Sequence, residues 1–224
     1  KGMKIAEIIE KGPFDHSRTK VKAGCMIGAI RKVCDGQALT LSVDNVLCGG
    51  GSLYTRFAPM QERIPRFVSE LEHYKQTPEQ VKTYVSRLGI SLTEKPYLNF
   101  VRMDKLASLD DAEGILFFVT PDVLSGLCSW AFYDNDADDA VCTRFASGCC
   151  SIVTFAVNEN RKQGRSCFIG MLDPSARPLV PANELTFVIP MHRFNEMMQT
   201  MEQSALFHKA YSIVRKRING EIGK

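Results

Sequence analysis

The run Gly114-Ile115-Leu116-Phe117-Phe118-Val119-Thr120 limits the fold more than any other stretch of the chain. It is continuously apolar, yet far short of the roughly 20 residues that a membrane-spanning helix needs. Its length is that of a buried strand. Thr120-Pro121-Asp122 follows it directly, which predicts a helix through Trp130, with proline in the first turn. A buried strand of this kind belongs in a sheet covered by other elements.

The remaining segments supply that cover. Lys4 to Glu10 places apolar residues at helical spacing and predicts a short helix ended by Gly12-Pro13. Ala23 to Val33 predicts a second helix, with Cys25, Ile27, Ala29, Ile30 and Val33 inward and Asp35-Gly36 as its stop. Ala38 to Val43 alternates as a half-buried strand. Glu62 to Tyr74 and Pro78 to Leu88 read as helices, the second opened by a Thr77/Gln80 capping box. Tyr97 to Met103, Ser166 to Leu172 and Leu185 to Ile189 read as strands, and Ala107 to Asp111 as a polar turn. Cys149 to Asn158 is apolar throughout, so periodicity leaves it open between buried helix and strand. Met191 to Arg217 reads as helix broken near Ser204, with Phe194, Met197, Met198 and Met201 forming a core stripe. Strands and helices alternate irregularly, with no repeat or linker. The expectation is therefore an α+β fold, a single domain over residues 1–224 with a mixed sheet and flanking helices.

Composition narrows the function classes. A net charge of +3 over 224 residues gives no reason to expect nucleic acid as a partner. Arg215-Lys216-Arg217 and the acidic stretch from Asp134 to Asp139 read as a solvated helix end and a solvated loop. No stretch predicts a membrane span, and no apolar N-terminal segment points to export. Eight cysteines invite a disulfide framework, but a chain that can build a core does not need one. Most of them sit among apolar neighbours, which predicts reduced thiols and a cytoplasmic protein.

Chemistry has few footholds. Cys48-Gly49-Gly50-Gly51 follows a predicted strand; three glycines permit close approach of the backbone, and their N–H groups could cradle an anion. A tight packed turn explains the triplet equally well, since neither a GxGxxG pattern nor a P-loop lysine accompanies it. The cysteines contain no CxxC pair, so a metal site would have to gather thiols from distant elements. Adjacent Cys149 and Cys150 diverge if extended. Histidines 16, 73, 192 and 208 share no i, i+4 spacing. Asp173 and Arg177 close a strand, where they either bind a polar ligand or pair with each other.

The order of these features resembles domain-of-unknown-function family 169. The resemblance rests on Cys25 near a helix start, Cys48-Gly49-Gly50-Gly51, the run from Phe117 to Pro121, small residues before Cys150, Asp173-Pro174-Ser175-Ala176-Arg177, and Glu184 to Pro190. It covers roughly residues 25–198. It implies a cytoplasmic protein of bacteria and archaea with no assigned reaction, and it singles out Cys25, Cys48, Gly49, Gly50, Cys150 and Arg177. The family opens with an apolar strand that Lys4 to Val21 does not visibly supply, and Cys34, Cys128, Cys142, Cys149 and Cys167 have no counterpart in it.

Three readings follow. The leading one is a binding or redox protein in which Cys25, Cys48 and Cys150 hold a metal, an iron–sulfur centre or a small anionic ligand, with Gly49, Gly50, Gly51, Asp173 and Arg177 contacting the ligand. In the second, Cys48 is the nucleophile of an enzyme acting on a small molecule, activated by the N–H groups of Gly50 and Gly51. In the third, the thiols are core and the domain is structural or binds a partner. The sequence names no ligand, no reaction and no oligomeric state.

Overall fold

The computed structural model describes residues 2–8 by their backbone, and residues 25–36, 38–106, 109 and 112–222. Strands are β1 (Gly2–Ile8), β2 (Leu39–Leu41), β3 (Tyr97–Arg102), β4 (Gly114–Val119), β5 (Val141–Thr143), β6 (Cys167–Gly170) and β7 (Leu185–Pro190). Helices are α1 (Ile27–Lys32), α2 (Gly49–Tyr54), α3 (Ile64–Arg66), α4 (Pro78–Arg87), α5 (Pro121–Phe132), α6 (Phe155–Arg161), α7 (Met191–Thr200) and α8 (Ser212–Ile218). The strands form one sheet in the order β2-β3-β1-β4-β7-β6-β5. Only β5 and β6 run parallel among these neighbours, so the sheet is mixed and the fold is α+β.

Period-two alternation sorts the sheet's side chains onto two cores. Leu116, Val188 and Phe168 lie in register across β4, β7 and β6 and face the first core. Their neighbours Phe117, Phe187 and Ile169 face the second. Helices α1, α2, α4 and α6 cover the first face, and α5 and α7 the second. Each fully buried aliphatic or aromatic side chain contributes about 1.5–3 kcal/mol. Beyond β1, Leu39 and Leu41 of β2 stand opposite Phe100 and Leu98 of β3 on the first face only.

Several predicted elements form with small shifts in their ends. The Thr77/Gln80 capping box opens α4: Thr77 Oγ1 accepts from the Gln80 amide at 3.2 Å, and Gln80 Oε1 from the Thr77 amide at 3.3 Å. Helix α1 stops at a 3₁₀ turn and Gly36, whose φ of 107° suits glycine. The segment from Glu62 continues beyond α3 as a π-helical turn, Phe67–Leu71. The undecided stretch from Cys149 is helical, a π turn over Cys150–Thr154 running into α6. A Cβ on Gly170 would sit 2.5 Å from Ser151 Oγ, so glycine there lets β6 approach this turn. Short 3₁₀ turns on both sides of buried Ser204 break the C-terminal helix into α7 and α8.

The structure corrects some expectations. Gly2–Ile8 is a strand, not a helix: its backbone pairs with β3 on one side and β4 on the other, and sheet hydrogen bonds outweigh weak helical spacing in so short a run. Strand β5 carried no legible signal; it is three residues long and half exposed. Gly12-Pro13 and His16 lie outside the described residues, as does most of the turn from Ala107 to Asp111. Among the described residues no helix is long and apolar enough to cross a membrane. All eight cysteines are free.

The acidic stretch is not simply solvated. Asp134, just after α5, pairs with Arg193 of α7, whose side chain is fully buried. Arg193 also donates to Glu196 at 2.9 Å and to the Ala131 carbonyl at 3.2 Å. Beside it Trp130 Nε1 donates to the Met197 carbonyl at 3.0 Å. These bonds pin α7 to the end of α5. Arg193 holds the Asp134 carboxyl below the ordinary carboxylate range. A depressed carboxylate contributes stability above its unfolded pKa and loses it as pH falls through the folded value. Arg193→Ala should therefore cost about 3–5 kcal/mol in urea unfolding at neutral pH. The variant should also show a shallower loss of stability below about pH 4 than the parent.

Candidate functional site

A cavity of about 320 Å³ opens on the first face of the sheet. Its walls come from Cys25 ahead of α1, Leu47 to Gly51 with Tyr54 of α2, and the segment between Arg63 and Lys75. Tyr84 of α4, the stretch from Phe145 to Cys149, and Asp173 with Ser175 complete it. The lining is chiefly apolar and aromatic, as small-molecule cavities generally are. Tyr74 and Phe145 meet edge to face with centroids 5.5 Å apart, and Lys75 Nζ lies 5.4 Å from the Tyr84 ring centre.

Buried Asp173 holds two sides of the cavity together. Its carboxylate accepts from the Gly148 amide at 3.1 Å, and from the Ser175 amide and hydroxyl at 2.9 and 2.7 Å. The first bond fixes the start of the helical segment that presents Cys149. The other two close the turn after β6.

Three thiols line this cavity: Cys25, Cys48 and Cys149. Cys149 shares the cavity wall with Cys25 and favours the Cys25 thiolate. The Cys149 thiol, helped by the Ile27 amide, outweighs burial and brings the Cys25 pKa down to about 7. Cys25 and burial together push the Cys149 thiol well above the ordinary value. Of the two thiols, Cys25 is the one that more readily forms a thiolate. Cys48 Sγ accepts from the Gly51 amide at 3.5 Å.

Of the thiols expected to share a site, Cys25 and Cys48 line the cavity and Cys150 does not. In a helix successive side chains diverge by roughly 100°, so adjacent cysteines serve different neighbours. Cys150 is fully buried, lies 3.9 Å from the Tyr84 hydroxyl, and is pushed up to about 12 by burial. Among the described residues no group of three or more His, Cys, Asp and Glu is arranged to hold a metal ion, so Cys25, Cys48 and Cys150 form no ligand set.

The glycine triplet opens a helix rather than a turn. Gly49, Gly50 and Gly51 are the first residues of α2, Cys48 is its N-cap, and the Gly51 amide is taken up by Cys48. A Cβ on Gly51 would come within 3.1 Å of Val46 Cγ1, which accounts for a glycine there by packing. Arg177 is not among the cavity residues and does not pair with Asp173. Its guanidinium binds the carbonyls of Glu184 at 2.5 Å, Pro181 at 3.3 Å and Ala182 at 2.9 Å, so it pins its own loop. Asp173 reaches the cavity but spends its oxygens on Gly148 and Ser175.

Sequence reasoning passed over Cys149, Tyr54, Tyr74, Tyr84 and Phe145. Reading the stretch from Cys149 as helix would have separated Cys149 from Cys150. Nothing local marks the aromatic residues, which meet only through the tertiary fold.

Fold and site together define an α+β protein with a thiol-lined cavity. The chain belongs to domain-of-unknown-function family 169, described as Uncharacterised ArCR, whose pattern it matches over residues 2–200. That match takes in β1, the opening strand that Lys4 to Val21 had not visibly supplied. No curated protein and no solved structure matches the chain.

Asp173→Ala would leave the buried Gly148 amide without its acceptor. It should lower stability to urea by about 1–3 kcal/mol. A change within about 0.5 kcal/mol would instead mark Asp173 as an ordinary surface position.

Proposed function

We propose that the cavity binds a small, largely apolar molecule and performs thiol chemistry on it, with Cys25 as nucleophile. The meeting of Cys25 and Cys149 in the wall of one cavity carries this reading. Cys149 lowers the Cys25 pKa to about 7, while burial and Cys25 raise that of Cys149, so the pair favours a thiolate on Cys25 near neutral pH.

A neighbouring pair of this kind suits thiol–disulfide exchange. The Cys25 thiolate attacks one sulfur of a substrate disulfide; the S–S bond breaks and the other sulfur leaves as a thiolate. Cys149 then gives up its proton and attacks Cys25 in the mixed disulfide. The products are a Cys25–Cys149 disulfide and a second substrate thiol: the substrate gains two electrons and the protein dithiol loses them. Tyr54, Tyr74, Tyr84 and Phe145 favour an aromatic or aliphatic body on the substrate. Lys75 and Arg63 offer positive charge to an anionic end, in place of Arg177. A dithiol that must be reduced to act fits a reducing, cytoplasmic setting.

Cys48 is the alternative nucleophile, supported by the Gly51 N–H···S contact at 3.5 Å. Labelling separates the two. Iodoacetamide alkylation of the reduced protein, followed by peptide mapping across pH 5–10, should modify Cys25 first. Thiolate forms as pH rises, so the rate should climb to half its plateau near pH 7. Cys149→Ala removes the neighbouring thiol and should move that midpoint up, towards the ordinary thiol value of about 8.5. With an aromatic disulfide as oxidant the parent should end with Cys25 joined to Cys149, and Cys149→Ala should stop at the mixed disulfide. Preferential modification of Cys48 would transfer the role to that residue. Uniform slow labelling, with a midpoint above 8 at every cysteine, would end the thiol reading.

A further inference from the structure

We infer that a second, separate site binds the phosphoryl group of a small phosphorylated molecule in a basic cleft at the end of α4. The cleft has a volume of about 430 Å³ and is independent of the thiol cavity. It lies between the last turn of α4, the residue after β5, and the outer side of α6.

Charge in this cleft is one-sided, on a chain that is nearly balanced overall. Arg87, Arg144, Arg161 and Lys162 line it, against Glu159 as the one carboxylate. Glu159 is buried and already engaged, accepting from Lys162 Nζ at 2.7 Å and from the Ser166 amide at 3.2 Å. Arg161 leans towards Glu113 at 3.7 Å. Arg87 and Arg144 have no carboxylate or other hydrogen-bond partner among the described residues.

Arg144 is also held in place. Its guanidinium lies 5.7 Å from the Phe155 ring centre and 5.9 Å from that of Phe168, and both rings are buried. Cation–π contact of this kind fixes the planar group without consuming its N–H donors. An arginine so positioned loses little further freedom when it takes two oxygens of one phosphoryl group. Arg87 comes from a different element, so the cleft offers two independent cationic anchors. The volume exceeds what one phosphate fills, so the phosphoryl group belongs to a larger molecule.

Isothermal titration of the full chain tests this, with inorganic phosphate, pyrophosphate and phenyl phosphate as probes at fixed ionic strength. Saturable one-to-one binding is expected, with pyrophosphate or phenyl phosphate tighter than inorganic phosphate. Arg144→Lys keeps the charge but loses the fork, and should weaken binding about tenfold; Arg87→Gln should do the same. Lys216→Ala, an exposed residue of α8 that lines neither cavity, should leave it unchanged. Circular dichroism of each variant guards against misfolding, and Arg87, being exposed, provides a variant whose folding is not at stake. Heats no larger than those of sodium chloride at equal ionic strength would overturn the proposal. So would affinities that ignore both arginine substitutions, or binding confined to a nucleic acid with none to the small phosphates.

Discussion

The two-sided burial of β4, β7 and β6 is the constraint on which the rest of the structure depends. A strand apolar on both faces cannot rest against water on either, so helices must pack above and below it. The first face receives α1, α2, α4 and α6, and the thiol cavity sits where these helices and the 62–75 segment leave space. The second receives α5 and α7, which need a buried arginine and the carboxylate of Asp134 to lock them. One run of apolar residues thus requires cover on both sides of the sheet, and the thiol cavity lies in the cover of the first.

Much of this was legible in the sequence. The run from Gly114 to Thr120 announced the central strand, and Thr77, Pro78 and Gln80 announced the start of α4, because strands and caps are written in neighbouring residues. What failed to read depends on partners remote in sequence. Gly2–Ile8 becomes a strand because β3 and β4 flank it. Arg177 looked like a ligand residue at a strand end, but three carbonyls of its own loop claim it.

The site was half legible for the same reason. Cysteine near small residues drew attention to Cys25 and Cys48, and both line the cavity. Choosing Cys150 over Cys149 was a question of rotation about a helix axis, and a stretch apolar throughout gives no sign of its rotation. The apolar cavity also shows why cysteine suits this position: a thiol packs as a hydrophobe until a neighbour stabilises its thiolate. In the proposed reading that neighbour is another cysteine rather than a histidine or lysine.

The place of β1 in the sheet bears on how the chain folds as it is made. On one side of β1 stand β3 and β2, and on the other β4, β7, β6 and β5, so this strand joins two smaller sheets into one. Its partners are Tyr97–Arg102 and Gly114–Val119, which leave the ribosome long after it does. Strand β1 therefore waits, unpaired, for both of its neighbours, and closing that large loop delays the joining of the two half-sheets. During that interval β1 exposes two open edges, a period in which a nascent chain is vulnerable to pairing with the wrong strand.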